Sequence, residues 1–228
     1  MQTQTPPLYI RQLAVGPMAN FVYLLGAADA EEAVLIDASW EAERIVQAAK
    51  QDNKRLTAIV LTHAHYDHVQ ALPELVALLR IPVLLQQAEM DFIRACPPPF
   101  CPRLRALAEA SPATFQTLHP DTLVPLAGLD MRMLLTPGHT LGGQCIFVEG
   151  ALFTGDVLFV GACGRVDLPG GDAQQLYESL HLKLKTLPPQ TQVFPGHDYG
   201  DTPVSSLHRE CQTNPYLQDK AGFFSLYA

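Results

Sequence analysis

The stretch that decides the reading is Leu61-Thr62-His63-Ala64-His65-Tyr66-Asp67-His68-Val69-Gln70. Three of the chain's eight histidines and one aspartate fall within six positions, directly after the apolar run LTAIVLT at residues 56–62. A nearly continuous apolar run of that length reads as a strand buried on both faces. On an extended segment, side chains two apart point to the same side, so His63 and His65 act together. Asp67 and His68 come where the chain enters a predicted helix, and they reach toward a neighbouring point. One ion is hard to surround with such a set, whereas two adjacent ions are natural. Imidazole nitrogen and carboxylate oxygen suit zinc, iron or manganese.

Three more strand-like runs end in the same way. MLLTPGH (133–139) ends in His139, ALFTGD (151–156) in Asp156 and TQVFPGH (191–197) in His197. Ligands of open α/β architectures bind beyond the carboxyl ends of strands, and in these three the ligand type follows a glycine that can turn the backbone sharply. Asp156, with two oxygens, can bridge a pair of ions. Two ions about 3.5–4 Å apart hold a hydroxide and polarise a carbonyl together.

Around these motifs the chain alternates strands and helices. LYIRQLAV (8–15), NFVYLLG (20–26), AVLIDA (33–38) and IPVLLQ (81–86) read as strands, and WEAERIVQAAKQD (40–52) and ALPELVALLR (71–80) as helices. Later strands are TLVPLAG (122–128), MRMLLTPG (131–138) and QCIFVEG (144–150). Later helices are DAQQLYESLHLKLKTL (172–187) and VSSLHRECQT (204–213). This order predicts a layered α/β domain with helix-covered sheets, spanning residues 1–228 as one unit. Residues 89–120, with CPPPFCP (96–102) and a helix at RLRALAEA (103–110), are expected as an irregular insert or lid. Phe92, Phe100 and Phe115 would form its apolar wall beside the metals. Met18, Met131 and Met133 are expected in the core, and His119, His181 and His208 on surfaces.

Composition narrows the function classes. The 228 residues carry a net charge of −8, which argues against nucleic acid as a general partner. No apolar stretch approaches the roughly 18 residues of a membrane span, and MQTQTPPLYIRQLAV lacks a signal-peptide layout. The five cysteines, Cys96, Cys101, Cys145, Cys163 and Cys211, include no C-x-x-C pair. They read as reduced and structural in a cytoplasmic protein, with a Cys96–Cys101 pairing left open.

With T-H-A-H-Y-D-H (62–68), G-H-T (138–140), T-G-D (154–156) and P-G-H-D-Y (195–199), the chain resembles the metallo-β-lactamase superfamily from about residue 8 to residue 217. The resemblance implies a four-layer αββα sandwich with the site along one edge. It implies that His63, His65 and His139 bind one divalent ion and Asp67, His68 and His197 a second, with Asp156 bridging. Zinc is the first expectation, with iron or manganese as alternatives, and Asp37 would support the ligands from behind.

Within the superfamily, NFVYLL (20–25) and GACGRVDLPGGD (161–172) look like the branch of glyoxalase II and persulfide dioxygenases. The leading implication is hydrolysis of a small-molecule thioester, with Asp67 and Asp156 catalytic and Arg165 and Tyr199 contacting substrate. Asp167 stands where glyoxalase II often has an aromatic residue, which leaves the thiol carrier open. The alternative is a persulfide dioxygenase holding one iron through His63, His139 and Asp156. Those enzymes usually continue G-R-T-D-F, whereas this chain has G-R-V-D-L (164–168).

Overall fold

The computed structural model describes residues 7–96 and 102–227. The first six-stranded sheet runs in sequence order through β1 (Leu8–Val15), β2 (Asn20–Ala27), β3 (Glu32–Ile36), β4 (Arg55–Val60), β5 (Val83–Gln86) and β6 (Phe115–Leu118). β1 to β3 pair antiparallel, and β3 to β6 pair parallel. Parallel strands need crossovers, supplied by α1 (Ala42–Gln51), α2 (Leu72–Leu79), α3 (Gln87–Ala95) and α4 (Pro102–Ala110).

The second sheet contains β7 (Thr122–Leu126), β8 (Leu129–Leu135), β9 (Gln144–Val148) and β10 (Ala151–Gly155). A short hairpin, β11 (Leu158–Phe159) with β12 (Ala162–Cys163), and α5 (Ala173–Glu178) lead to β13 (Gln192–Pro195) and β14 (Ser205–Ser206). The sheet order is β14-β13-β10-β9-β8-β7, with β10 and β13 parallel. The chain ends in α6 (Leu207–Thr213) and α7 (Lys220–Ser225). Asp172, Ser206 and Asp219 cap α5, α6 and α7, each accepting a backbone N–H three residues on, as short polar side chains do at helix starts.

The period of two in the strands explains the layering. On β2, Val22 and Leu24 face one apolar cluster while Phe21, Tyr23 and Leu25 face another. The first cluster lies under α1 to α4, with Ile45, Leu72, Leu75 and Ile93 in it. The second joins the two sheets, where Phe21 and Tyr23 meet Met131, Met133, Phe153 and Phe194. The third seats Leu176, Leu180, Leu207 and Phe223 against Leu134 and Leu152. Helix, sheet, sheet, helix is the αββα sandwich.

Several local expectations change. Residues 89–120 contain more regular structure than expected: α3 continues to Ala95, and β6 adds to the sheet beside β5. Phe92 and Phe115 pack into the first core cluster, and not beside the site, while Phe100 lies outside the described residues. The helix expected over 172–187 is α only to Glu178. It widens to a π-turn at Ser179–Lys183 and tightens at Leu184–Thr186, while Leu176, Leu180 and Leu184 all stay buried. Met131 and Met133 are buried as expected, but Met18 is not a core residue. The Cys96–Cys101 pairing depends on Cys101, outside the described residues. Among the described residues, no helix is long and apolar enough to cross a membrane.

Candidate metal centre

The parallel relation of β8, β10 and β13 sends their carboxyl ends to one edge of the second sheet. The carboxyl end of β4 meets that edge, held by Gln144 N–H donating to Thr62 O at 2.8 Å and Gln144 Nε2 donating to Leu61 O at 2.7 Å. The loops after these four strands carry all seven side chains expected as ligands. Three groups of potential ligand atoms each lie within 4.8 Å of one another: His63, His65 and His139; Asp67, His68 and His197; and His63, His68 and Asp156. The first two groups are the two expected positions, and the third shows Asp156 reaching across them.

The atomic arrangement suits metal binding. His63 Nε2 faces His65 Nδ1 at 3.1 Å, and His68 Nε2 faces His197 Nε2 at 3.2 Å. In both pairs the imidazole nitrogens converge on one point, the arrangement in which neutral rings present lone pairs to a cation. Among the described residues, His139 Nε2 and Asp156 Oδ1 are buried without a hydrogen-bond partner. Buried polar atoms are normally paired, so the unpartnered His139 Nε2 fits a metal site, as does Asp156 Oδ1, which has only His68 Nε2 beside it at 3.1 Å.

The far nitrogens of His63, His68, His139 and His197 are already engaged, which fixes those rings. His139 Nδ1 lies 2.7 Å from Arg165 O, and His197 Nδ1 lies 2.9 Å from Met18 O. His68 Nδ1 lies 2.8 Å from Asp37 Oδ2. Thr62 Oγ1 donates to the same Asp37 oxygen at 2.7 Å and lies 3.1 Å from His63 Nδ1. Asp37 Oδ1 also accepts Thr62 N–H at 2.7 Å, so one buried carboxylate orients a histidine of each group. Gly164 makes the His139 contact possible: a Cβ there would lie 1.9 Å from Asp156 O and 2.9 Å from His139 Nδ1.

Electrostatics divide the groups in the metal-free chain. Burial lowers the His63 and His139 pKa values, and brings His65 down to about 3. For His68 burial acts the same way, but Asp156, Asp37 and Asp67 outweigh it and raise the pKa well above the usual value. His197, against burial, is raised to about 9 by hydrogen bonds to Asp156 and Asp67. Burial disfavours the charged forms of Asp67 and Asp156, yet His68 and His197 hold both pKa values low.

A cavity of about 710 Å³ opens over this edge. Besides ligand side chains it is lined by Met18, Tyr66, Phe159, Leu168, Arg165 and Tyr199, among others. Tyr199 is exposed and stacks on His197 with centroids 4.5 Å apart. Arg165 is also exposed, and its Nε and guanidinium NH2 donate to the two oxygens of Asp167 at 2.6 Å each. Both expected substrate contacts thus border the cavity, with Arg165 already paired.

Sequence reasoning missed three residues. Asn20, fully buried, donates from Nδ2 to Asp67 Oδ2 at 2.9 Å and accepts Trp40 Nε1–H at 3.0 Å. Indole N–H only donates, so Trp40 fixes which way the Asn20 amide points. Asn20 opens the NFVYLL motif, and that was its only signal. Glu89, 1% exposed, accepts bonds from the loops of both His63/His65 and His139. An acid in a helix that also carries Asp91 and Arg94 gave no signal, except its place just past a strand end.

The profile of the Metallo-beta-lactamase superfamily matches residues 15–197. The chain belongs to the metallo-beta-lactamase superfamily. This superfamily member is 32% identical over 200 residues to a Bacillus velezensis protein named "Probable polyketide biosynthesis zinc-dependent hydrolase BaeB", covering 88% of this chain and 82% of that protein. It is 33% identical over 216 residues to the mitochondrial persulfide dioxygenase ETHE1 of Homo sapiens, covering 92% and 76%. It is 30% identical over 202 residues to the hydroxyacylglutathione hydrolase of Idiomarina loihiensis, covering 89% and 70%. These relatives match the glyoxalase II-like branch and describe a metal-dependent enzyme.

Proposed function

We propose that this chain is a thioester hydrolase that uses two divalent cations, with zinc the first expectation. The observation that carries the reading is the second group, Asp67, His68 and His197, complete and buried beside the first. A mononuclear oxygenase site built from His63, His139 and Asp156 would not require it. The likeness to a hydroxyacylglutathione hydrolase supports the thioester class, and a zinc-dependent hydrolase among the relatives supports the metal.

Bound at these positions, divalent cations supply Lewis acidity toward a carbonyl oxygen and lower the pKa of water. His63, His65 and His139 would hold one cation and Asp67, His68 and His197 the other, with Asp156 shared. Asp67 borders the cavity, is held ionised by His68 and His197, and is fixed by Asn20. It would accept a hydrogen bond from an attacking water at the cavity floor and so orient it. The departing thiolate is a good leaving group, so no strong acid is required opposite it. Met18, Phe159 and Leu168 give the acyl or thiol arm an apolar wall, and Tyr199 offers a hydroxyl at the mouth.

Metal analysis with parallel assays tests this reading. Two metals per chain, thiol release from a glutathione or N-acetylcysteamine thioester and no oxygen uptake are expected. One iron per chain, with oxygen consumed in the presence of glutathione persulfide, would establish the dioxygenase reading instead, which the likeness to ETHE1 favours.

A further inference from the structure

Glu89 is a fully buried carboxyl with no cationic side chain among its described partners. It lies in the first turn of α3, where the helix macrodipole favours negative charge. Three donors converge on it. Ala64 N–H donates to Oε1 at 2.8 Å, while Thr140 Oγ1 and Gly142 N–H donate to Oε2 at 2.8 and 2.9 Å. Ala64 lies between His63 and His65, and Thr140 directly follows His139. The carboxyl therefore ties together the two loops that hold the three histidines of the first position. None of its three donors belongs to the loop of His197, and on the loop shared with Asp67 and His68 the contact falls between His63 and His65.

The approach is close enough to restrict sequence on the other side. A Cβ on Gly142 would lie 2.0 Å from Glu89 N and 2.5 Å from Glu89 Cα. Only a glycine lets the 140–142 loop rest on the start of α3. Burial pushes the Glu89 carboxyl up to about 7 despite the three hydrogen bonds. Replacing the carboxyl alone would leave three buried donors without their acceptor, so it cannot be exchanged for an apolar side chain while the two loops keep this contact.

We propose that Glu89 is a positioning residue for the first metal position, clamping the His63/His65 loop to the His139 loop so that the three imidazole nitrogens converge. It acts through backbone and hydroxyl groups and does not touch the ion. The inference rests on the metal-centre reading and is independent of the reaction class. Partners that orient metal ligands typically change affinity by about 10–100-fold when removed. Glu89→Gln keeps the side-chain shape but presents an N–H group to one of the three donors.

The test is titration of Co²⁺, followed by its visible absorption, into metal-free variants that isolate each position. His197→Ala leaves the first position, and His139→Ala leaves the second. Adding Glu89→Gln to His197→Ala is expected to weaken Co²⁺ binding by about 10–100-fold. Adding it to His139→Ala should change binding less than about threefold, well below that range. Equal weakening in both backgrounds would mean general loosening and would overturn the proposal, as would unchanged binding in the first. No Co²⁺ binding to His197→Ala itself would overturn the metal assignment, and the clamp with it. Circular dichroism checks folding. Should Glu89→Gln fail to fold, Thr140→Val removes one of the three bonds isosterically and must show the same selectivity at smaller size.

Discussion

Asp37 and His68 meet at 2.8 Å, Oδ2 to Nδ1, with both side chains buried. Asp37 holds this contact from a left-handed backbone conformation, φ 59°, at the end of β3, while His68 ends the turn after β4. Its carboxylate also accepts the N–H and the hydroxyl of Thr62. The oxygen that aims His68 at the second position is thus shared with the residue behind His63. Asp37→Asn would set an amide N–H against one of these donors, leaving buried polar groups unsatisfied at about 1–3 kcal/mol each. Metal affinity should fall about 10–100-fold, and thermal unfolding of the metal-free protein should start at lower temperature. Isothermal titration with Zn²⁺ and a thermal melt check both.

The two positions should respond differently to pH. In the metal-free chain His63, His65 and His139 have lowered pKa values, so a cation displaces no proton there near neutrality. His68 and His197 are raised, His197 to about 9, so a cation at the second position must displace protons. Each displaced proton costs about tenfold in apparent affinity per pH unit lowered. Lowering pH from 8 to 6 should therefore release the second ion while the first stays bound. Metal content after dialysis at each pH measures this, and simultaneous release would contradict it. The sign for stability is opposite. His197, raised above its unfolded value, stabilises the metal-free fold below about pH 6.5, and that contribution is lost as pH rises through about 9.

Arg165 is the one cationic side chain on the described cavity lining outside the ligand histidines, and Asp167 occupies the Nε–Nη2 edge of its guanidinium. Asp167→Ala should free it for an anionic thiol carrier. Exposed charge pairs are weak, so kcat/KM for a glutathione thioester should rise only modestly, up to about fivefold, mainly through KM. Turnover of an uncharged N-acetylcysteamine thioester should not change. An equal effect on both substrates would mean that Arg165 does not read the carrier's charge.

The site was legible because metal chemistry restricts side-chain type and spacing. His63, His65, Asp67 and His68 announce themselves within one run, and His139, Asp156 and His197 each follow a strand and a glycine. The sheets were legible from apolar runs such as those of β2 and β4. Other features depend on contacts distant in sequence. Asn20 and Glu89 work through hydrogen bonds 47 and 25 or more residues away, and no local pattern signals such a bond. Met18 read as core because methionine usually is, yet its carbonyl accepts His197 Nδ1 and its sulfur meets the Tyr66 hydroxyl at 2.7 Å. β6 was missed because its short run, with Gln116 and Thr117 exposed at the sheet edge, lacks the apolar pattern of a central strand.

Asp156 should be the residue on which both positions depend. Oδ1 lies 3.1 Å from His68 Nε2, and Oδ2 lies 3.5 Å from His139 Nε2 and 3.4 Å from His197 Nε2. One carboxylate therefore reaches nitrogens of both groups, Oδ2 facing His139 and His197 and Oδ1 facing His68. Asp156→Ala removes a ligand from each, so metal content should fall toward zero at both. His68→Ala removes a ligand from the second group alone and should leave one ion per chain. Metal analysis after dialysis against buffer separates the cases. If Asp156→Ala kept both ions, or His68→Ala lost both, the shared role of Asp156 between two distinct positions would be wrong.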